Sequence, residues 1–302
     1  MLRVEYLIDQ VRKLSNNTRY DSNSGVGQDI MALYLNNAQD EIQKALVNTK
    51  SKYLLKSTTV PIVNNQQEYD YPVDLYLNNI DTMQWTQDNQ SFVNMYHGYM
   101  KDRTYTGNGY SYGYVTKNES FVLVPPIDTG TLAIHYIRQL PRMATRSGLI
   151  SAVTVTSGVV TALSVNTSDA SYNASEIATD NYLCVVDYLG NIKATAIQYS
   201  AMSSGVFTLP AHTLLTGESV AVGDYIVVGK YATNKPELPE ITQGFLIKYA
   251  NYQAKYGDSS QWSKVVQDDM TQTLIGLTQS FGMNSDDVGE IPITNFDYLQ
   301  LF

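Results

Sequence analysis

The 302-residue chain reads as an α+β protein: N- and C-terminal helix pairs packed with a small antiparallel β-sheet, an inserted all-β module of barrel or sandwich type, and an extended C-terminal arm. Three observations predict this. Apolar residues recur at helical spacing only towards the two ends. Runs rich in β-branched and aromatic residues, separated by turn residues, fill the middle. The composition also shifts sharply at Ser147, after which the chain to Gly223 is small, β-branched and nearly free of Lys and Arg. The expected divisions are 1–56 for the first helices, 57–146 for the sheet, 147–233 for the inserted module, 234–282 for the last helices and 283–302 for the arm.

Val4, Leu7, Val11 and Leu14 lie three or four apart and predict a short helix over residues 2–15. A second stripe of Ile30, Tyr34, Ala38, Ile42 and Ala45 predicts a helix from about Asp29 to Asn48. From Tyr53 the period becomes strand-like through Val63, and Pro61 suits a sheet edge because it cannot donate to a ladder. A second strand is expected from Ile80 to Trp85, and a partly ordered loop through the Tyr- and Gly-rich segment between Phe92 and Tyr114. The runs on either side of Pro125-Pro-Ile-Asp-Thr-Gly130 then predict a β-hairpin from Phe121 to Met143.

In the inserted module two hairpins are expected. One joins Leu149–Thr156 to Val159–Asn166 through Ser157-Gly158, and the other joins Tyr182–Tyr188 to Ile192–Tyr199 through Gly190-Asn191. Val206–Leu209 and Tyr225–Tyr231 would close it. Helical period returns with Ile241, Phe245, Tyr249, Tyr252 and Tyr256, where Gly257 is placed as the C-cap. The last helix starts from Asp258 or Ser259 and carries Trp262, Val266, Met270, Leu274, Leu277 and Phe281. Residues 283–302 have no helical period yet end in aromatic and aliphatic residues, so they are expected to dock on a body rather than stand in water.

The net charge of −9, from 20 Lys and Arg against 29 Asp and Glu, argues against a main affinity for nucleic-acid phosphates. The 24 tyrosines suit interfaces, where a ring is half buried and its hydroxyl meets water. Cys184 has no second cysteine to pair with, and the charged N-terminus has neither a signal-peptide nor a spanning pattern, so synthesis and folding in a cytoplasm are expected.

Asp128-Thr-Gly130 matches the local pattern of an aspartic-protease loop, which needs either a second copy, absent from the chain, or a symmetric dimer; Thr131 is not the usual Ser or Ala, and the same residues make good turn chemistry. His97, His135 and His212 show no metal-ligand spacing. Gly107-Asn-Gly109 is followed by no helix that would hold a phosphate. Lys50, Lys52 and Lys56, and Arg138, Arg142 and Arg146, are the modest basic concentrations, read as solvated faces. No enzyme and no cofactor is expected.

Tyr71, Pro72 and Asp74, followed by Leu123, Pro125, Asp128, Gly130, Leu132, Ile134 and Tyr136, approximate two motifs: an aromatic-x-Leu-Pro-x-Asp strand start and a Leu-x-Pro-x-Pro-x-x-Gly-x-Leu-x-Leu-x-Tyr hairpin. With helix pairs at both ends, the chain resembles the head-to-tail adaptor proteins of tailed bacteriophages over residues 1–146 and 224–282. It departs from the smaller adaptors in the β module at 147–223. The resemblance implies a homo-oligomeric ring, usually a dodecamer, in the virion neck. Such a ring docks on the portal, extends the DNA channel, passes DNA without sequence-specific binding, and receives tail or nozzle proteins, with no membrane involved.

The apolar arm suits this role, with Ile291, Ile293, Phe296, Tyr298, Leu299, Leu301 and Phe302 as the expected anchors on a neighbouring protein. The alternative reading is a glycan- or receptor-binding tail component whose ligand stacks on Tyr105, Tyr110 or Tyr112.

Overall fold

The computed structural model describes residues 3–15, 25–49, 51–98, 112–156, 159–178, 180–212, 218–257 and 259–282. The expected arm at 283–302 therefore lies outside the described residues, as does most of the Tyr- and Gly-rich loop. The chain divides into two compact units: Lys50–Gln139, and a discontinuous one made of Met1–Thr49 with Leu140–Phe302.

The discontinuous unit opens with α1 (Val4–Ser15) and α2 (Gly25–Asn48). The period was read correctly, but the buried stripes sit slightly off those expected. On α1 Ile8 is buried and Leu14 is 53% exposed. On α2 the core residues are Met31, Leu35, Ala38, Ile42 and Leu46.

Polar α2 side chains at helical spacing explain the offset. Asn36 donates to the Met143 carbonyl and accepts from its N–H, both at 2.8 Å. Gln39 donates to the Pro141 carbonyl at 2.9 Å, and Gln43 accepts from the Leu140 N–H at 3.0 Å. Three amides on one helical face thus satisfy the backbone of an extended segment, a role that apolar periodicity does not register.

The continuous unit carries β1 (Leu55–Pro61), β2 (Glu68–Asp70), β3 (Leu75–Thr86), β4 (Val93–Asn94), β5 (Tyr96–His97), β6 (Gly113–Thr116), β7 (Ser120–Val124) and β8 (Thr131–Arg138). They form two four-stranded sheets, in the orders β1-β8-β3-β4 and β2-β7-β6-β5. The hairpin expected from Phe121 to Met143 is therefore not one. β7 pairs with β2 and β6, whereas β8 pairs with β1 and β3. β7 is buried almost throughout and β8 over Leu132–Ile134 and at Tyr136, so neither shows the clean alternation that would fix its partner. Pro125–Gly130 carries the chain from one sheet to the other. Tyr69, Phe121 and Leu123 from one sheet and Met83, Leu132, Ile134 and Tyr136 from the other share a single core. β1 lies at a sheet edge, as Pro61 suggested.

The crossing ends at Gly130, whose φ is +117° and where an added Cβ would lie 2.4 Å from the Thr86 carbonyl oxygen. Around it the Trp85 Nε1–H donates to the Thr129 carbonyl at 3.1 Å, and the Ile62 N–H donates to the Gly130 carbonyl at 2.9 Å.

Beyond Leu140 come β9 (Arg142–Met143), β10 (Gly148–Thr156), β11 (Val159–Val165), α3 (Ala174–Ile177), β12 (Tyr182–Val186), β13 (Ile192–Gln198), β14 (Ala201–Ser203), β15 (Val206–His212), β16 (Tyr225–Val228) and β17 (Ala232–Thr233). Both expected module hairpins form, β10 with β11 and β12 with β13. Seven of these strands make one sheet in the order β13-β12-β16-β10-β11-β15-β14, and β9 pairs with β17. The sheet packs a core that includes Ile150, Leu163, Leu183, Ile197, Phe207 and Ile226, and Cys184, Val186, Val227 and Ala232 form a second buried cluster. Tyr199 closes the core by stacking edge-on against Phe207 and donating to the Ile177 carbonyl at 2.6 Å. Cys184 is fully buried, and burial pushes its thiol up to about 11, so it packs as a small apolar residue.

The chain ends in α4 (Gln243–Tyr256) and α5 (Lys264–Gly282). Gly257 caps α4 as expected, its N–H donating to the Gln253 carbonyl. The buried face is Phe245, Leu246, Tyr249, Ala250 and Gln253, while Ile241 and Tyr256 at the two ends of the expected stripe are 63% and 53% exposed. α5 starts later than expected because a 3-10 turn at Ser259–Gln261 intervenes. Trp262 seats that turn, its Nε1–H donating to the Gly257 carbonyl at 3.1 Å.

Gly130→Ala is expected to destabilise the protein by about 2 kcal/mol or more, through forced φ and a clash with rigid backbone. Urea unfolding followed by circular dichroism checks it, and an unchanged midpoint would contradict the tight crossing.

Candidate interaction surfaces

The two motifs that carried the family resemblance meet in space. Asp74 follows Tyr71-Pro72-Val73 and is almost fully buried. One carboxylate oxygen accepts from the Tyr136 hydroxyl at 2.6 Å and the other from the Lys56 ammonium at 2.6 Å. Its backbone carbonyl also accepts from the Gln139 N–H at 2.6 Å. A buried carboxylate is stable only when such partners replace its water. Asp74 therefore ties β1 and the end of β8 to the start of β3. It is a lock on the scaffold.

What that scaffold presents is apolar and exposed. β3 does not run straight: its pairing with β8 jumps from Leu75 opposite Arg138 to Ile80 opposite Tyr136, so extra residues bulge out. At the top of the bulge Leu77 (φ +45°) and Asn78 (φ +57°) are consecutive left-handed residues. Leu77 is 80% exposed. A leucine held in that region costs about 1–2 kcal/mol and gains nothing from burial within the subunit. Phe92 and Val93, at a sheet edge, and Tyr96 add further exposed apolar surface.

The other residues singled out from sequence resolve as follows. Ile291, Ile293, Phe296, Tyr298, Leu299, Leu301 and Phe302, the expected arm anchors, lie outside the described residues. So do Tyr105, Tyr110, Lys50, Gly107 and Gly109. Tyr112 packs on Trp85, with ring centroids 4.6 Å apart. Gly113 sits in β6, where a Cβ would come within 2.8 Å of the Tyr96 carbonyl oxygen, so it permits the close approach of β5 rather than cradling a phosphate. Asp128 is exposed in the crossing between sheets.

His135 Nδ1 meets the Ser57 hydroxyl at 2.5 Å, and His97 stacks against Tyr114. Among the described residues no group of three His, Cys, Asp or Glu side chains is placed to hold a metal. Of the basic residues, Arg138 lies over the Tyr53 ring and Arg146 over the Tyr225 ring. Arg142 opposes the rise that burial imposes on the Asp40 carboxyl. Arg138 and Arg146 are packed cations while Arg142 is exposed, and the apolar surfaces above were not foreseen.

With this geometry in view, the comparison with protein families is informative: the SU10 adaptor protein model matches residues 5–170, more than half of the chain. The chain belongs to the SU10 adaptor protein family. The match runs from α1 through both sheets and on past β11, so this adaptor shares with its family the first hairpin of the β module, beyond the boundary expected at residue 146. No curated protein matches the chain. The family is one of phage structural adaptors, and exposed apolar residues on a locked scaffold suit an adaptor that works by binding other proteins. Among the described residues no helix is long and apolar enough to cross a membrane.

Removing the acceptor with Asp74→Ala is expected to cost about 3 kcal/mol, and Tyr136→Phe about 1–2 kcal/mol. In a double-mutant cycle the two effects should fall short of additive by at least about 1 kcal/mol. Additive losses in urea would show the lock to be two independent contacts. Leu77→Asn is expected to do the reverse, raising subunit stability by up to about 1 kcal/mol because asparagine tolerates left-handed backbone. A fall in melting temperature for that variant would mean that Leu77 packs within the subunit.

Proposed function

We propose that this adaptor forms a ring of identical subunits in the neck of a phage virion, docks on the portal, extends the DNA channel and provides the platform for tail or nozzle proteins. The observation that carries this reading is the family match, which includes α1, α2, the Asp74 lock and the strands around it. Physical features agree with it. A cyclic ring joins one patch of each subunit to a different patch of the next. Exposed Leu77, Phe92, Val93 and Tyr96 are apolar surfaces that such contacts would cover. The net charge of −9 lets a channel wall pass DNA without holding it.

The arm at 283–302 has the role of a tether. Ile291, Ile293, Phe296, Tyr298, Leu299, Leu301 and Phe302 supply apolar area that orders on the portal or an adjacent subunit, losing conformational entropy while gaining burial and main-chain pairing.

Electron microscopy of the purified protein mixed with its portal tests the proposal, the expected result being a ring stacked on the portal. Deleting residues 283–302 is expected to leave a folded subunit, with unchanged circular dichroism, that no longer completes the head-to-tail joint. Truncated protein that still restored infectious particles in a complementation assay would remove the arm from the mechanism.

A further inference from the structure

The two sheets of the continuous unit end in β1, β4, β2 and β5, and of these edge strands β1 is the longest, seven residues against two or three. Its main chain has two sides. The Ile62 N–H donates to the Gly130 carbonyl at 2.9 Å, and Val60, Thr58 and Lys56 follow at steps of two, so the even-numbered residues turn their main-chain groups to β8. The odd-numbered residues turn theirs away from it. The Leu55 N–H is taken by the preceding turn, donating to the Lys52 carbonyl, and Pro61 has no N–H to place. What faces outward is therefore the carbonyls of Leu55, Ser57, Thr59 and Pro61 and the N–H groups of Ser57 and Thr59. No described strand pairs with that side, and all four residues are exposed.

An edge of this kind binds through its main chain, so its occupant must be extended, strand-forming and able to donate at alternate positions. Residues 291–302, Ile-Pro-Ile-Thr-Asn-Phe-Asp-Tyr-Leu-Gln-Leu-Phe, have that composition, and after Pro292 every residue keeps its N–H. Charge points the same way. The arm at 283–302 carries Asp286, Asp287, Glu290 and Asp297 and no Lys or Arg. At the start of β1 stand exposed Lys52, Lys56 and, on β8, Arg138, and Asp74 offsets one of these three charges. The acids that precede the apolar run can meet the remaining positive charge while the run itself lies along the strand.

We propose that residues 291–302 of one copy add as a strand to the open edge of β1 in the next copy. The contact joins the arm of one subunit to the sheet edge of its neighbour, two unlike patches, which is the arrangement that repeats around a closed ring. The inference rests on the ring reading above and names the seat of the arm.

The test uses the full chain. Thr59→Pro removes one outward N–H and leaves the ladder with β8 intact, because Thr59 donates away from β8 and proline is accepted at such an edge position. In sedimentation velocity this variant is expected to self-associate about 10-fold more weakly, with unchanged circular dichroism. Deleting residues 291–302 is expected to weaken association on the order of 100-fold. Both changes in one chain should weaken it no further than the deletion alone, since they remove the same contact. In parallel, a benzophenone photo-crosslinking amino acid is placed at position 59 of the otherwise wild-type chain, and nitrogen-15-labelled and unlabelled copies are assembled together. Irradiation is expected to join position 59 of one isotope to a peptide from 283–302 of the other.

Crosslinks confined to one isotope would place the arm on its own chain, and crosslinks to the portal in place of the arm would give the edge to that protein. Either result, or fully additive losses from Thr59→Pro and the deletion, would overturn the proposal, while rings on the portal in electron microscopy would leave the ring reading standing. A wild-type chain that stays monomeric at all concentrations and with its portal would overturn both.

Discussion

The discontinuous unit depends on the amide ladder between α2 and the segment at Leu140–Met143. On the side where an extended segment lies along a helix it has no strand to satisfy its main chain, and each unpartnered buried amide or carbonyl costs about 1–3 kcal/mol. Asn36, Gln39 and Gln43 supply the missing partners from one helical face. The same segment then pairs in parallel with β17, placing Arg142 opposite Ala232 and Met143 opposite Thr233. Beyond it Asn234 accepts from the Val4 N–H at the start of α1, and its amide donates to Glu5 at 2.7 Å. A polar chain thus runs from α2 through β9 and β17 to α1, and the seven-stranded sheet hangs from it.

What could be read from sequence follows from the range of each interaction. α1, α2 and α4 were legible because helical period and a C-cap glycine such as Gly257 are local signals. The β12–β13 hairpin was legible because Gly190-Asn191 sits between its strands. The supposed hairpin at Phe121–Met143 failed for the opposite reason. Its strands are buried on long stretches, so nothing in either run says whether its neighbour is the next strand or one drawn from elsewhere in the unit. The buried faces of α2 and α4 were displaced for a related cause: Asn36, Gln39, Gln43 and Gln253 look like surface residues until their partners are known.

The interaction surfaces were harder still. The sequence pointed to the C-terminal arm by composition alone, whereas the exposure of Leu77 comes from a bulge that only the pairing of β3 with β8 reveals. Asp74 was noticed as a motif position, but its buried partnership with Tyr136 was not, because a carboxylate beside a proline carries no signature of burial.

The discontinuity of the larger unit bears on how the protein is made. Residues 50–139 can collapse on their own as soon as they leave the ribosome, while α1 and α2 must wait for Leu140 and the strands and helices beyond it. At roughly 5–20 residues per second that wait lasts about 10–40 s, during which α2 displays Met31, Leu35, Ile42 and Leu46 without their final cover. The order of synthesis therefore makes the continuous unit the first part to be complete, and the amide ladder the step that joins α2 to the chain beyond it.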